Sequence, residues 1–137
     1  MSLSEFDDGW IIGFIESKGV FTKNKIKIKR ETKTGVKKYI YSNPAFYLVN
    51  KDRSALEVIR NRLGIGKIDQ HGTVFHLGVR KKSDILRLAE FLDGKFKSKS
   101  RIQQFERWKE QVLEWKSRAW GESTEFKDQT PEFSKSF

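Results

Sequence analysis

Ile11-Ile12-Gly13-Phe14-Ile15-Glu16-Ser17-Lys18-Gly19 is the stretch on which the fold turns. It closes a segment that begins at Ser4 and reads as a helix. Ser4 is placed to cap it, and Asp7 three residues on makes a pattern close to a capping box. Acidic residues in the first turn complement the helix dipole. Gly19 is a natural stop. Inside the helix, Gly9, Gly13 and Ser17 recur every fourth residue, so one face carries only small side chains. An interior glycine costs about 1 kcal/mol against alanine. Two of them in one stripe make sense if a second backbone approaches that face closely.

Beyond Gly19 the period changes from helix to strand. Over residues 20–30, Ile26 and Ile28 alternate with Lys25, Lys27 and Lys29. That predicts a half-buried strand with an aliphatic core face and a lysine face. Phe21 has the opposite parity, so a core Phe21 predicts a bulge near residues 22–24. Residues 31–35 read as a turn, and residues 36–50 as the returning strand. There Ile40, Phe46 and Leu48 share one face; Tyr39, Tyr41, Asn43, Ala45 and Tyr47 share the other. Pro44 lacks a ladder donor and predicts a bulge or an unpaired side. Asp52 then caps a helix with Leu56, Ile59 and Leu63 as its apolar positions and Gly64 as its stop.

Two shorter strands, 65–70 and 73–80, flank the turn signal His71-Gly72. A third helix with Ile85, Leu88, Ala89 and Leu92 ends at Gly94. Residues 95–101 form a basic connector. The fourth helix, 102–120, places Phe105, Trp108, Val112, Leu113, Trp115 and Ala119 at apolar positions. Residues 121–137 are polar and aperiodic and read as a tail. The expected organisation is one domain, 1–120, with that tail. Its fold class is α+β, in the order α-β-β-α-β-β-α-α, with an antiparallel four-stranded sheet and helices on one face.

Composition narrows the function. The 137 residues hold 28 Lys and Arg against 18 Asp and Glu, a net charge of +10. There is no cysteine, which excludes a disulfide framework, a thiolate zinc site and a cysteine nucleophile. Two histidines leave little for an imidazole metal cage. No apolar run is long enough to span a bilayer. The opening residues Met1-Ser2-Leu3-Ser4-Glu5 lack the basic and apolar regions of a signal peptide. An intracellular location is expected, in a prokaryotic cytoplasm or an organelle. The charge points to a polyanion. An open sheet face bearing Lys23, Lys25, Lys27, Lys29, Tyr39, Tyr41, Asn43, Tyr47, Lys67, Asp69, His76 and Arg80 suits a reader of duplex DNA. Lysines neutralise phosphates, the other polar groups can address base edges, and a two-stranded ribbon fits the major groove.

The nine residues from Ile11 to Gly19 resemble the LAGLIDADG motif of homing endonucleases. The element order is similar to that family's core module. Phe46-Tyr47-Leu48-Val49-Asn50-Lys51-Asp52-Arg53-Ser54-Ala55-Leu56 resembles its second strand and second helix. Gly64-Ile65-Gly66-Lys67-Ile68 and Phe75-His76-Leu77-Gly78-Val79 resemble its third and fourth strands. The likeness covers roughly residues 6–115. It implies a sheet shaped as a saddle on double-stranded DNA, two motif helices packed through their glycines, and metal-dependent phosphodiester hydrolysis with magnesium at the helix ends. One motif copy without an internal repeat implies a homodimer on a pseudo-palindromic site, joined through Gly9, Gly13 and Ser17. Each half-site would span about one turn of duplex, on the order of 10 bp. The resemblance further implies an intron-encoded protein, and it brings Lys97, Lys99 and Arg101 towards the catalytic phosphate.

At the eighth motif position, where the family carries its metal-binding acid, this chain has Lys18. A charged ammonium has no lone pair and repels a cation, so it cannot ligate magnesium. The resemblance leaves only the backbone carbonyl of Ser17 as a metal ligand there. Glu16 is acidic, but it points about 200° around the helix from Lys18 at 100° per residue. The resemblance assigns its position to helix-end packing rather than to the metal. Three origins remain open: a replacement made to stop cleavage, a natural descendant that only binds, or a shifted register. Gly13 and Gly19 fix the spacing against the last. The reading is a DNA-binding homing-endonuclease scaffold with cleavage disabled. The alternative is a non-cleaving regulator or an RNA-splicing maturase on the same fold.

Overall fold

In a computed structural model the chain runs α1 (Leu3–Lys18), β1 (Val20–Thr32), β2 (Gly35–Asn50), α2 (Arg53–Leu63), β3 (Lys67–His71), β4 (Val74–Val79), α3 (Lys82–Leu92) and α4 (Lys99–Ser117). The structure describes residues 3–117; the side chains of Leu3, Ile28, Tyr39 and Tyr41, Ala119 and the proposed tail lie outside the described residues. The four strands form one antiparallel sheet in the order β1-β2-β4-β3. No helix among the described residues is long and apolar enough to cross a membrane.

Local chemistry explains the joints. Asp52 caps α2 by accepting from the Ser54 amide at 2.9 Å, and Gly64 ends it in the left-handed region at φ 66°. Gly72 supplies the left-handed turn between β3 and β4 at φ 63°. Gly19 ends α1 for a different reason, which is space. A Cβ there would meet the Ile15 carbonyl oxygen and the Phe46 ring at 2.7 Å each. Helix α1 begins at Leu3, so Ser4 lies inside its first turn rather than before it.

The core lies between the sheet and the helices. Ile11 and Ile15 of α1, Phe46 and Leu48 of β2, Leu77 and Val79 of β4, and Phe105, Trp108 and Val112 of α4 are buried in it. Phe21 sits at the centre of an aromatic cluster, its ring 5.1 Å from Phe46, 5.7 Å from Phe105 and 4.9 Å from Trp108. Each such pair adds about 0.5–1.5 kcal/mol beyond area burial. The Trp108 indole N–H donates to the carbonyls of Thr22 and Ala45, at 3.2 and 3.1 Å. It thereby fastens α4 to both strands of the ribbon.

This arrangement corrects the expected faces of β1. The β1–β2 register is continuous from Val20↔Tyr47 to Thr32↔Gly35, so no bulge interrupts it. With Phe21 in the core and paired with Phe46, the odd positions of β1 share the helix side of the sheet. Lys23, Lys25, Lys27 and Lys29 therefore lie on the opposite face from Asn43 and Tyr47. Ile26, expected in the core, is 39% exposed on the open face. The cause is the size of the aromatic cluster, which buries more apolar surface than two isoleucines offer. Pro44 takes the second of its two options: the ladder passes through it, and the β2–β4 pairing begins only at Phe46.

A candidate DNA interface and the end of the first helix

Among the described residues, no helix covers the open face of the sheet. Tyr47, Lys67, Asp69, His71, His76 and Arg80 line a cleft there of about 450 Å³. The Arg80 guanidinium donates to the Tyr47 hydroxyl at 2.8 Å and lies over the Tyr47 ring. Lys67 stands 3.9 Å from Asp69. His71, expected only as a turn residue, is the last residue of β3, and its ring lies 4.3 Å from that of His76. The pairing of Asp69 with His76 puts a carboxylate beside this imidazole pair. Further out on the ribbon, Asn24 pairs with Asn43.

The face therefore differs from the sequence expectation in its β1 half. Thr22, Asn24, Ile26 and Arg30 occupy it in place of the four lysines. The one available sign was the parity of Phe21. The side chains of Tyr39 and Tyr41 lie outside the described residues. Tyr47, Lys67, Asp69, His76 and Arg80 come together as expected, with Asn43 on the same face.

Helix α1 carries a second open surface. Around Gly9 and Gly13 nothing stands within 4 Å of where a Cβ would be. Ser17 is exposed beside them. Phe6 is 58% and Trp10 40% exposed on the same helix, and Trp10 lies 5.2 Å from Phe14.

At its C-terminal end, α1 exchanges caps with α4. The Glu16 carboxylate accepts from the amides of Lys97 at 2.8 Å and Ser98 at 2.7 Å, the entry to α4. In return Arg101, in the first turn of α4, donates to the carbonyls of Glu16 at 2.7 Å, Ile15 at 3.1 Å and Gly19 at 2.5 Å. It also donates to Gln104. Each helix end thus satisfies orphan groups of the other, with charges placed as the dipoles favour. This corrects the expected connector, because Lys99 and Arg101 lie within α4. Arg101 is a backbone clamp. Lys99 remains exposed, and Lys97 lines the groove of α1 that also holds Gly9 and Gly13.

Glu16 has a measurable signature. The Ser98 amide, more than any other group, holds its carboxyl below the usual range, aided by the Lys97 amide and opposed by desolvation. A depressed folded-state value means stability that is present above the unfolded-state value, about 4.3, and lost as pH falls through the lower folded-state value. Acid titration of thermal stability should fall more steeply below that point in the parent than in Glu16→Gln. Parallel curves would show that the contact contributes nothing.

Lys18 is exposed at the tip of α1, with its ammonium 3.5 Å from Asn50 Oδ1 and 5.5 Å from the centre of the Phe14 ring. Magnesium, the ion implied by the motif, takes hard oxygen donors. The residues present do not fit it. Lys18 offers a cation, and the Glu16 carboxylate is committed to two amides. Among the described residues no three His, Asp or Glu side chains converge on one point.

Comparison with known proteins adds the family. A family model described as LAGLIDADG endonuclease matches residues 11–112. Among solved structures, the chain is similar to an archaeal intron-encoded homing endonuclease, I-Vdi141I, complexed with DNA. That match has 28% identity and a TM-score of 0.65, and covers 80% of this chain and 68% of the other. A homing endonuclease, I-TnaI, matches at 24% identity and TM-score 0.64, over 77% of this chain and 71% of that one. The group I intron-encoded homing endonuclease I-CeuI, complexed with DNA, shares the fold at 13% identity and TM-score 0.68, over 85% and 58%. No curated protein matches the chain.

Proposed function

The chain belongs to the LAGLIDADG endonuclease family, and from that premise we propose that it binds a specific site in double-stranded DNA as a homodimer, with cleavage disabled by Lys18. The observation that carries the reading is the sheet face that no described helix covers, furnished with paired asparagines, a Tyr–Arg pair and a His–His–Asp group. Asn can bond adenine through two contacts, Arg can bond guanine, and an apolar Ile26 suits a thymine methyl. The relatives I-Vdi141I and I-CeuI were solved on DNA, which supports the same partner here.

The open glycine face of α1 supports the dimer. Close helix packing there would cover Trp10 and Phe14 and bring two Lys18 ammonium groups together above the duplex. In that position they can pair with phosphate without a metal. Affinity should therefore persist in EDTA.

Selection from a randomised duplex library in EDTA tests this. The expected product is a pseudo-palindrome whose half-sites each span about 10 bp, bound by two protomers in sedimentation. Gly13→Leu, which fills the open face, should leave monomers that fold but lose the full site. Enrichment of no sequence, or equal preference for structured RNA, would move the protein to the maturase class.

A further inference from the structure

Arg80 follows directly on β4, exposed and with no ion pair among the described residues. Its Nε donates to the Tyr47 hydroxyl at 2.8 Å, and its guanidinium lies 5.3 Å from the centre of the Tyr47 ring. That ring has its place because the cross-strand partner of Tyr47 is Gly78. A Cβ at residue 78 would meet the ring at 3.3 Å. Gly78 is not in the left-handed region, so what glycine supplies here is space.

With Nε held by Tyr47, the two terminal nitrogens remain to donate as a planar fork. A fork of this kind matches O6 and N7 of guanine, whereas adenine sets a donor against it. The surroundings choose between base and phosphate. Lys67, Asp69, Lys81 and Asp84 line the same cleft. Carboxylates repel phosphate, but base edges present donors and acceptors in turn. A cleft of mixed sign therefore suits a base edge. An arginine ordered only on binding would also cost affinity. Tyr47 orders this one before DNA arrives.

We propose that Arg80 reads one guanine in each half-site, and that Tyr47 is its positioning residue, with Gly78 making room for the ring. This rests on the reading that the open face takes duplex DNA, and it deepens that reading to a base and a buttress.

The test uses the full chain and the variants Arg80→Lys, Arg80→Ala and Tyr47→Phe, each checked for an unchanged melting temperature. A site is selected with the parent from a randomised duplex library. Affinities are then measured on that site and on versions with each base pair replaced, over a range of salt. The parent is expected to prefer guanine at one position of each half-site, about 10- to 100-fold over other bases. Arg80→Lys should lose that preference and no other, because the charge stays and the fork goes. Tyr47→Phe keeps the ring and should lower the same preference about 3- to 10-fold. A tyrosine that only supported the sheet would weaken every position alike, and that result overturns the positioning role, as does an unchanged preference. Arg80→Ala separates base from phosphate. If it weakens all sequences uniformly and reduces the salt slope by about 0.9, Arg80 is a phosphate contact and the proposal is overturned. A guanine preference that survives in Arg80→Lys overturns it too. In each of these cases the parent still has its site, so the open-face reading stands. If the parent selects no site, that reading fails and the assignment of Arg80 falls with it.

Discussion

Lys18→Glu is expected to cleave duplex DNA in magnesium, and the parent chain is expected not to. The substitution puts a carboxylate where the motif resemblance assigns the family's metal-binding acid, at the exposed tip of α1. The fold should tolerate it. Lys18 has one long hydrogen bond, to Asn50, and a distant contact with the Phe14 ring, and surface changes of this kind stay within about 0.5 kcal/mol. An acid at a helix C-terminus opposes the dipole, for a further cost of about 0.3–1 kcal/mol. The effect on chemistry is far larger. A bound metal is worth several kcal/mol of transition-state stabilisation, and about 4 kcal/mol is a thousandfold in rate. Each protomer also loses two units of charge, so affinity in EDTA should drop as cleavage appears. The measurement is double-strand cleavage of a randomised library of long duplexes by both proteins. Cleavage by the parent would show that Lys18 is not disabling. Cleavage by neither, with tight binding by both, would identify a binder that has lost more than one carboxylate.

Arg101→Ala should be the most destabilising single change at a polar position of α4. One guanidinium serves the carbonyls of Ile15, Glu16 and Gly19. Bonds to a charged donor are worth about 1.5–3 kcal/mol each, but they share one side chain and do not add in full. A loss of about 3 kcal/mol is expected, or roughly 10–15 °C in melting temperature for a domain of this size. Arg101→Lys should recover only part of it, because an ammonium lacks the planar fork that reaches three acceptors. A double-mutant cycle with Glu16→Gln isolates the exchange between the helix ends. A coupling below about 0.5 kcal/mol would show two independent caps. Because the exchange fixes the tip of α1, the Arg101→Ala variant should also lose DNA affinity at temperatures where it remains folded.

Much of the molecule is legible without coordinates, because its rules are local. The caps at Asp52 and Gly64, the hairpin at Gly72, the element order and the bare stripe of Gly9, Gly13 and Ser17 each depend on a few neighbouring residues. The family is likewise legible from residues 11–19 and the element order, through their resemblance to its motif and core module. Three features depended on tertiary structure. The rings of His71 and His76 meet, tilted against each other, because β3 and β4 pair in one register. Glu16 and Arg101 exchange caps across 85 positions, a distance no periodicity spans. The faces of β1 are the clearest case. An alternating strand has two faces, and one extra residue exchanges them. Ile26 and Ile28 argued for one solution and Phe21 for the other. Only the packed cluster of Phe21, Phe46, Phe105 and Trp108 decides between them, because the free energy of burial depends on what all the elements bring to the same place.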